Sequence, residues 1–345
     1  MRRAAAAFLL LACLSTGCAP TRPSTPLFIY LRLDSPDTLR LVLQPGPGTN
    51  DGAVTFPVAV PGGCSFWALT PAPQARYAAV EWQCADGPAV QVVDLQTGRA
   101  QFLLDDPTLD DRLLSWAPDG ESVYLKAGTL SNPQVLRVEV VLRRAAALPL
   151  SPNTYNLTVS PDGATLLYAL SGGIGLGSEV WAADAQGGGA HRLLSDGASI
   201  LGLMRYSPDG RHIAYIRLPD DQTSFPAGEL WLANADGSHA RRVATADAGR
   251  GMPPVWSPDG KQIAFIGRSQ PGDPNSANLS IYDTATAQLV ASPYAPAFPP
   301  AWSPDGDKLS ITLDRDGKME LWFYEILNGK AEEWLSSACC AGWVY

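Results

Sequence analysis

One short run recurs along this chain of 345 residues and limits what it can fold into. It reads Trp116-Ala117-Pro118-Asp119-Gly120, Val159-Ser160-Pro161-Asp162-Gly163, Tyr206-Ser207-Pro208-Asp209-Gly210, Trp256-Ser257-Pro258-Asp259-Gly260 and Trp302-Ser303-Pro304-Asp305-Gly306. Successive aspartates lie 43, 47, 50 and 46 residues apart. After each run comes an alternating strand pattern such as Gln262-Ile263-Ala264-Phe265-Ile266. A period in the forties with several strands per unit is the signature of propeller blades.

The run has a mechanical reading. Proline presets φ at the second turn position, aspartate bonds nearby backbone, and glycine supplies the positive φ that closes a bulged hairpin. The repeated aspartates are therefore turn formers, not catalytic carboxylates. The aromatic side chains Trp116, Tyr206, Trp256 and Trp302 are expected to wedge between neighbouring units as core.

In these residues the chain resembles the TolB-like, PD40 (WD40-like) β-propeller repeat family. Further fragments carry the likeness: Leu313-Asp314-Arg315-Asp316-Gly317 before Glu320-Leu321-Trp322, Asn234-Ala235-Asp236-Gly237-Ser238 before Arg241-Arg242-Val243, and Glu229-Leu230-Trp231. The resemblance covers about residues 64–337 and implies an all-β propeller. Complete four-strand blades are expected at about 64–104, with a degenerate turn at Thr70-Pro71-Ala72-Pro73, and at 112–149, 156–194, 201–244, 251–292 and 298–337. Two fragments remain. Phe28-Ile29-Tyr30-Leu31-Arg32-Leu33 resembles the second strand Ile213–Leu218, and Ala341-Gly342-Trp343-Val344-Tyr345 resembles a first strand. A seventh blade from 338–345 plus 27–60, closed by both termini, pairs edges that would otherwise stay open. Six blades with irregular ends is the alternative.

The N-terminus reads as an export segment, 1–17. Arg2 and Arg3 precede an apolar run, Ala4–Leu14, too short to span a bilayer but suited to a signal peptide. Leu14-Ser15-Thr16-Gly17-Cys18 resembles a lipobox, which makes Cys18 the expected lipidation site and 18–26 a flexible tether. Cys13 is a second candidate, and a plainly cleaved signal is the alternative. The expected location is the cell envelope, membrane-anchored and facing the periplasm or exterior. Export permits disulfides among Cys64, Cys84, Cys339 and Cys340. Hairpin pairing makes Cys64–Cys84 plausible, whereas Cys339 and Cys340 could pair with each other or one could reach Cys64. Reduced thiols are the alternative, and the connectivity stays open.

The net charge is −9, from 25 basic and 34 acidic residues, which disfavours nucleic acid as a partner. No Gly-x-Ser-x-Gly elbow is present. His191, His212 and His239 sit near separate turns and read as solvated. Gly172–Gly177 has glycines spaced like a dinucleotide loop, but a strand follows where a helix is needed. Asp314-x-Asp316-Gly317 lacks the later ligands of a calcium loop. Asp105, Asp106, Asp110 and Asp111 make an acidic cluster between two blades that reads as a solvated loop, with a weak calcium site as the alternative. Accordingly no catalytic residue, metal or cofactor is assigned.

Long links at 171–178, 218–228 and 267–278 should instead form one sector of a face, carrying Asp220, Asp221, Phe225, Arg268 and Asp273 as candidate binding residues. The expected function is that of a monomeric, envelope-anchored scaffold for a protein, peptide or glycan. A propeller enzyme of lyase or lactonase type using the central channel is the alternative.

Overall fold

The computed structural model describes residues 26–35, 38–47, 52–74, 76–104, 110–129, 132–220, 227–247, 251–270 and 273–344. Cys13, Cys18, the export segment and most of the tether lie outside the described residues, as do Asp105, Asp106, Asp221 and Phe225. The described chain is all-β, with one short 3-10 turn at Pro274–Ser276.

The strands form antiparallel sheets in chain order. Cys64–Pro71, Tyr77–Cys84, Gly87–Asp94 and Ala100–Phe102 make one. Asp110–Trp116, Ser122–Thr129, Asn132–Glu139 and Arg144–Ala147 make the next, followed by Thr154–Val159, Thr165–Ser171, Ser178–Asp184 and His191–Asp196. An eight-stranded sheet then joins two four-strand units, Ser199–Asp247 and Val255–Ala291, through the single step Ala246↔Gly267. Ala301–Trp302, Lys308–Arg315, Lys318–Glu325 and Ala331–Ser336 make the following sheet. In the last, the C-terminal strand Ala338–Val344 pairs with Leu27–Ser35, and Thr38–Gln44 and Val54–Ala59 continue outward.

The core lies between sheets rather than within one layer, because each strand alternates apolar side chains to both faces. Val90 and Val92 pack with Trp116 and Val123, and Tyr124 and Val135 with Leu157 and Leu166. Leu167 packs with Leu201 and Ile213, and Ala264 and Leu279 with Trp302 and Leu309. Phe28 and Tyr30 of the terminal sheet meet Leu321 and Phe323, while Ile29 and Leu31 meet Val80 and Trp82.

The recurring run forms the same turn each time. Its glycine takes φ between +66° and +77° in all five copies, a region costly to any residue with a Cβ. In four copies the serine hydroxyl donates to the aspartate two residues on, at 2.5 to 2.7 Å. It also accepts from the amide five residues on, at 2.9 to 3.0 Å. Where Ala117 replaces the serine, Asp119 Oδ1 itself accepts from the Ser122 amide at 3.0 Å. The wedge tryptophans are buried and tie neighbours together by hydrogen bonds. Nε1 of Trp116, Trp256 and Trp302 donates to the carbonyls of Thr70, Arg205 and Val255, each in the preceding unit's first strand. Tyr206 is only half-buried, and burial pushes its hydroxyl pKa up to about 12.

Cys64 and Cys84 are direct cross-strand partners and are joined by a disulfide. Cys339 and Cys340 form a vicinal disulfide inside the C-terminal strand, both buried.

Candidate functional site

The concave site with the richest chemistry lies between the third-strand links of two neighbouring sheets. It is a cavity of about 630 Å³ lined by Asp110, Arg112, Lys126, Pro133, Tyr155 and Gly172, among others. Three features of the chain build it. Arg112 and Lys126 are opposed in the hairpin of Asp110–Trp116 with Ser122–Thr129. Tyr155 comes from the first strand of the next sheet and donates its hydroxyl to the Leu201 carbonyl. Gly202 leaves room for that ring, since a Cβ there would meet Tyr155 at 3.3 Å. The glycine-rich link 171–178 forms the rim; Gly172 N donates to the Gly177 carbonyl.

Two carboxyl groups lie outside the cavity lining, Glu81 within reach of the Arg112 charge and Asp111 against the Val90 backbone. Burial raises Glu81 to about 7, against hydrogen bonding from the Leu113 backbone and the charge of Arg112. Burial likewise raises Asp111 to about 7, against hydrogen bonding from the Val90 backbone. Asp111 was expected in a solvated loop. It is instead on a strand and 5% exposed, because the strand begins at Asp110 and turns alternate residues inward. Burial lowers the Lys126 pKa, and Arg112 lowers it further. Burial also lowers Arg205, on the first strand Ser199–Tyr206, to about 10.

The loop candidates have structural partners of their own. Asp220 Oδ2 accepts from Gly177 N at 3.0 Å and so holds the rim link from the next unit. Asp273 caps the short turn by accepting from Asn275 N at 2.8 Å. Arg268, expected on an exposed link, ends the strand Gln262–Arg268 with its side chain 1% exposed, paired to Asp247 at 3.0 Å. The strand runs further than the loop pattern suggested, because its ladder with Ala277–Asp283 extends to Arg268↔Ala277. His191, His212 and His239 are exposed, His191 in one unit and His212 and His239 together in the next. Among the described residues no three His, Cys, Asp or Glu converge as a metal site.

Glu81, Arg112, Lys126 and Tyr155 were not singled out from the sequence. A signal existed for Lys126. It lies seven residues after the motif aspartate, where the other four copies carry Ala169, Ile216, Ile266 and Thr312. A charge at a repeat position otherwise apolar or small marks a departure from packing.

The architecture is a TolB-like β-propeller fold. TolB from Acinetobacter baumannii superposes with a TM-score of 0.53 at 15% identity, over 93% of this chain and 83% of that one. An oligogalacturonate lyase in complex with manganese gives 0.61 at 13%, over 84% and 83%. A prolyl endopeptidase gives 0.62 at 13%, over 92% of this chain but 50% of its own. No family model and no curated protein sequence matches the chain.

Proposed function

We propose that this chain is an exported, lipid-anchored propeller of seven blades that holds a protein, peptide or glycan partner on the face bearing the cavity. Closure by both termini is supported by the register of Ala338–Val344 against Leu27–Ser35 and by core packing on both sides of that sheet. Binding at this face is supported chiefly by the cavity between Arg112, Lys126 and Tyr155, a concave site of ligand size on a rigid scaffold. Export and lipidation at Cys18 rest on the N-terminal pattern.

A capture experiment tests this reading. The soluble body starting at Pro20 is used to capture partners from envelope extract, beside the double variant Arg112→Ala with Lys126→Ala. A partner retained by the parent and lost by the variant supports the binding face. Equal capture, or none, defeats it. A Cys18→Ala full-length chain that still partitions with membranes would defeat the anchor.

Catalysis is the second reading, favoured by Glu81 and Asp111. Two carboxyls raised to about 7, Glu81 within reach of the Arg112 charge, are suited to proton transfer near neutral pH. A captured glycan or peptide recovered shortened by the parent but intact from Glu81→Gln would support it.

A further inference from the structure

Arg112 and Lys126 face each other as direct cross-strand partners, and like charges in that position destabilise a hairpin. Among the described residues neither makes an ion pair within 4 Å. Several other cations among the described residues are paired. Arg217 bridges Asp196 and Glu229, Arg192 meets Glu179, and Arg268 meets Asp247. With 34 acidic residues against 25 basic, leaving two adjacent cations unbridged is not for want of carboxylates. The acidic side chain that lines the same cavity is Asp110. The charged side chains that line the cavity are thus two cations against one carboxylate, a surplus of about one positive charge. That surplus suits a monoanion better than a dianionic phosphate.

The remainder of the cavity is apolar in part. Leu114, Pro133 and Pro152 line it, and its rim link presents Ile174 and Leu176 at 82% and 65% exposure. Side chains this apolar at the mouth of a charged cavity suit a ligand with a charged head and a hydrophobic body.

We infer that this cavity binds a monocarboxylate with an apolar body, its carboxylate received between Arg112 and Lys126 and its body against Leu114, Pro133 and the rim link. The inference rests on the reading of this face as the binding face and adds the chemistry of what it recognises. An arginine fork and an ammonium together give a planar carboxylate charge-assisted hydrogen bonds. Bound carboxylate would also remove the cross-strand repulsion.

The test is thermal unfolding of the soluble body with 4-phenylbutyrate, its neutral amide and inorganic phosphate, at constant ionic strength. A saturable rise in Tm with 4-phenylbutyrate only, lost in Arg112→Gln and in Lys126→Gln, is the expected result. Without ligand, Lys126→Gln should unfold at or above the parent's Tm, which separates a lost ligand contact from a damaged fold. An equal response to the amide, an unchanged response in both variants, or no response to 4-phenylbutyrate overturns the inference. Partner capture that survives such a failure leaves the binding face standing without this ligand. Carboxylate binding in the absence of captured partner does the reverse.

Discussion

Arg268 and Asp247 form an ion pair of 3.0 Å whose side chains are 1% and 2% exposed, at the point where two four-strand units merge into one sheet. Removing one partner takes a buried counterion away from the other. Arg268→Ala should therefore cost about 3–5 kcal/mol in guanidinium unfolding. Replacing both residues with apolar ones of similar volume should cost less than either single change. Equal losses in the single and double variants would show that packing, not charge, holds this junction.

The serine of the recurring run should have a measurable role. Ser257 is buried and its hydroxyl joins Asp259 to the Gln262 amide. Ser257→Ala should lose about 1 kcal/mol. Serine donation holds the carboxyls of Asp162, Asp209, Asp259 and Asp305 below their ordinary range. Their stabilisation is complete above the unfolded-state pKa, about 3.9, and is lost as pH falls through the lower folded value. Tm measured from pH 6 down to pH 2 should fall below about pH 4.

Glu81 and Asp111 should act with the opposite sign. Their folded pKa of about 7 lies above the unfolded value, so their stabilisation is full below about pH 4 and is lost as pH rises through 7. Glu81→Gln should unfold later than the parent at pH 8 and show no such gain at pH 4. Parallel stability curves for the two proteins across this range would refute the shift.

Trp256 joins two units by packing and by its bond to the Arg205 carbonyl at 3.2 Å. Trp256→Phe keeps most of the packing and should cost about 1 kcal/mol, whereas Trp256→Ala should cost about 3–5 kcal/mol. Urea unfolding of the two variants separates these contributions.

Reduction should act on the hairpin between Cys64 and Cys84, which closes a sequence separation of 20. The paired change to serine should cost about 3 kcal/mol if the chain-entropy account holds. Comparing its unfolding with that of parent protein in reductant also shows how much the vicinal pair adds.

Much of the fold was legible because its causes are local. A turn that needs proline, a carboxylate and a positive φ within four residues writes itself into the sequence, and so does the alternation of the strand that follows. The wedge tryptophans were readable from their place before that turn. The site was far less legible. Arg268 looked like part of a loop, since the ladder to Ala277 that extends its strand is a long-range pairing. Asp111 looked solvated because acidic runs usually are, and only packing of its strand against the preceding sheet, at Val90, buries it.

The repeating unit, the turn that starts it and the side chains that wedge it are all set by residues a few positions apart in the chain. Tertiary structure decided which charges are paired and which face each other. Arg112 and Lys126 are fourteen residues apart, and nothing local states that they meet beside Tyr155 from the next sheet. Register and the stacking of neighbouring sheets set that meeting, and both are properties of the assembled molecule.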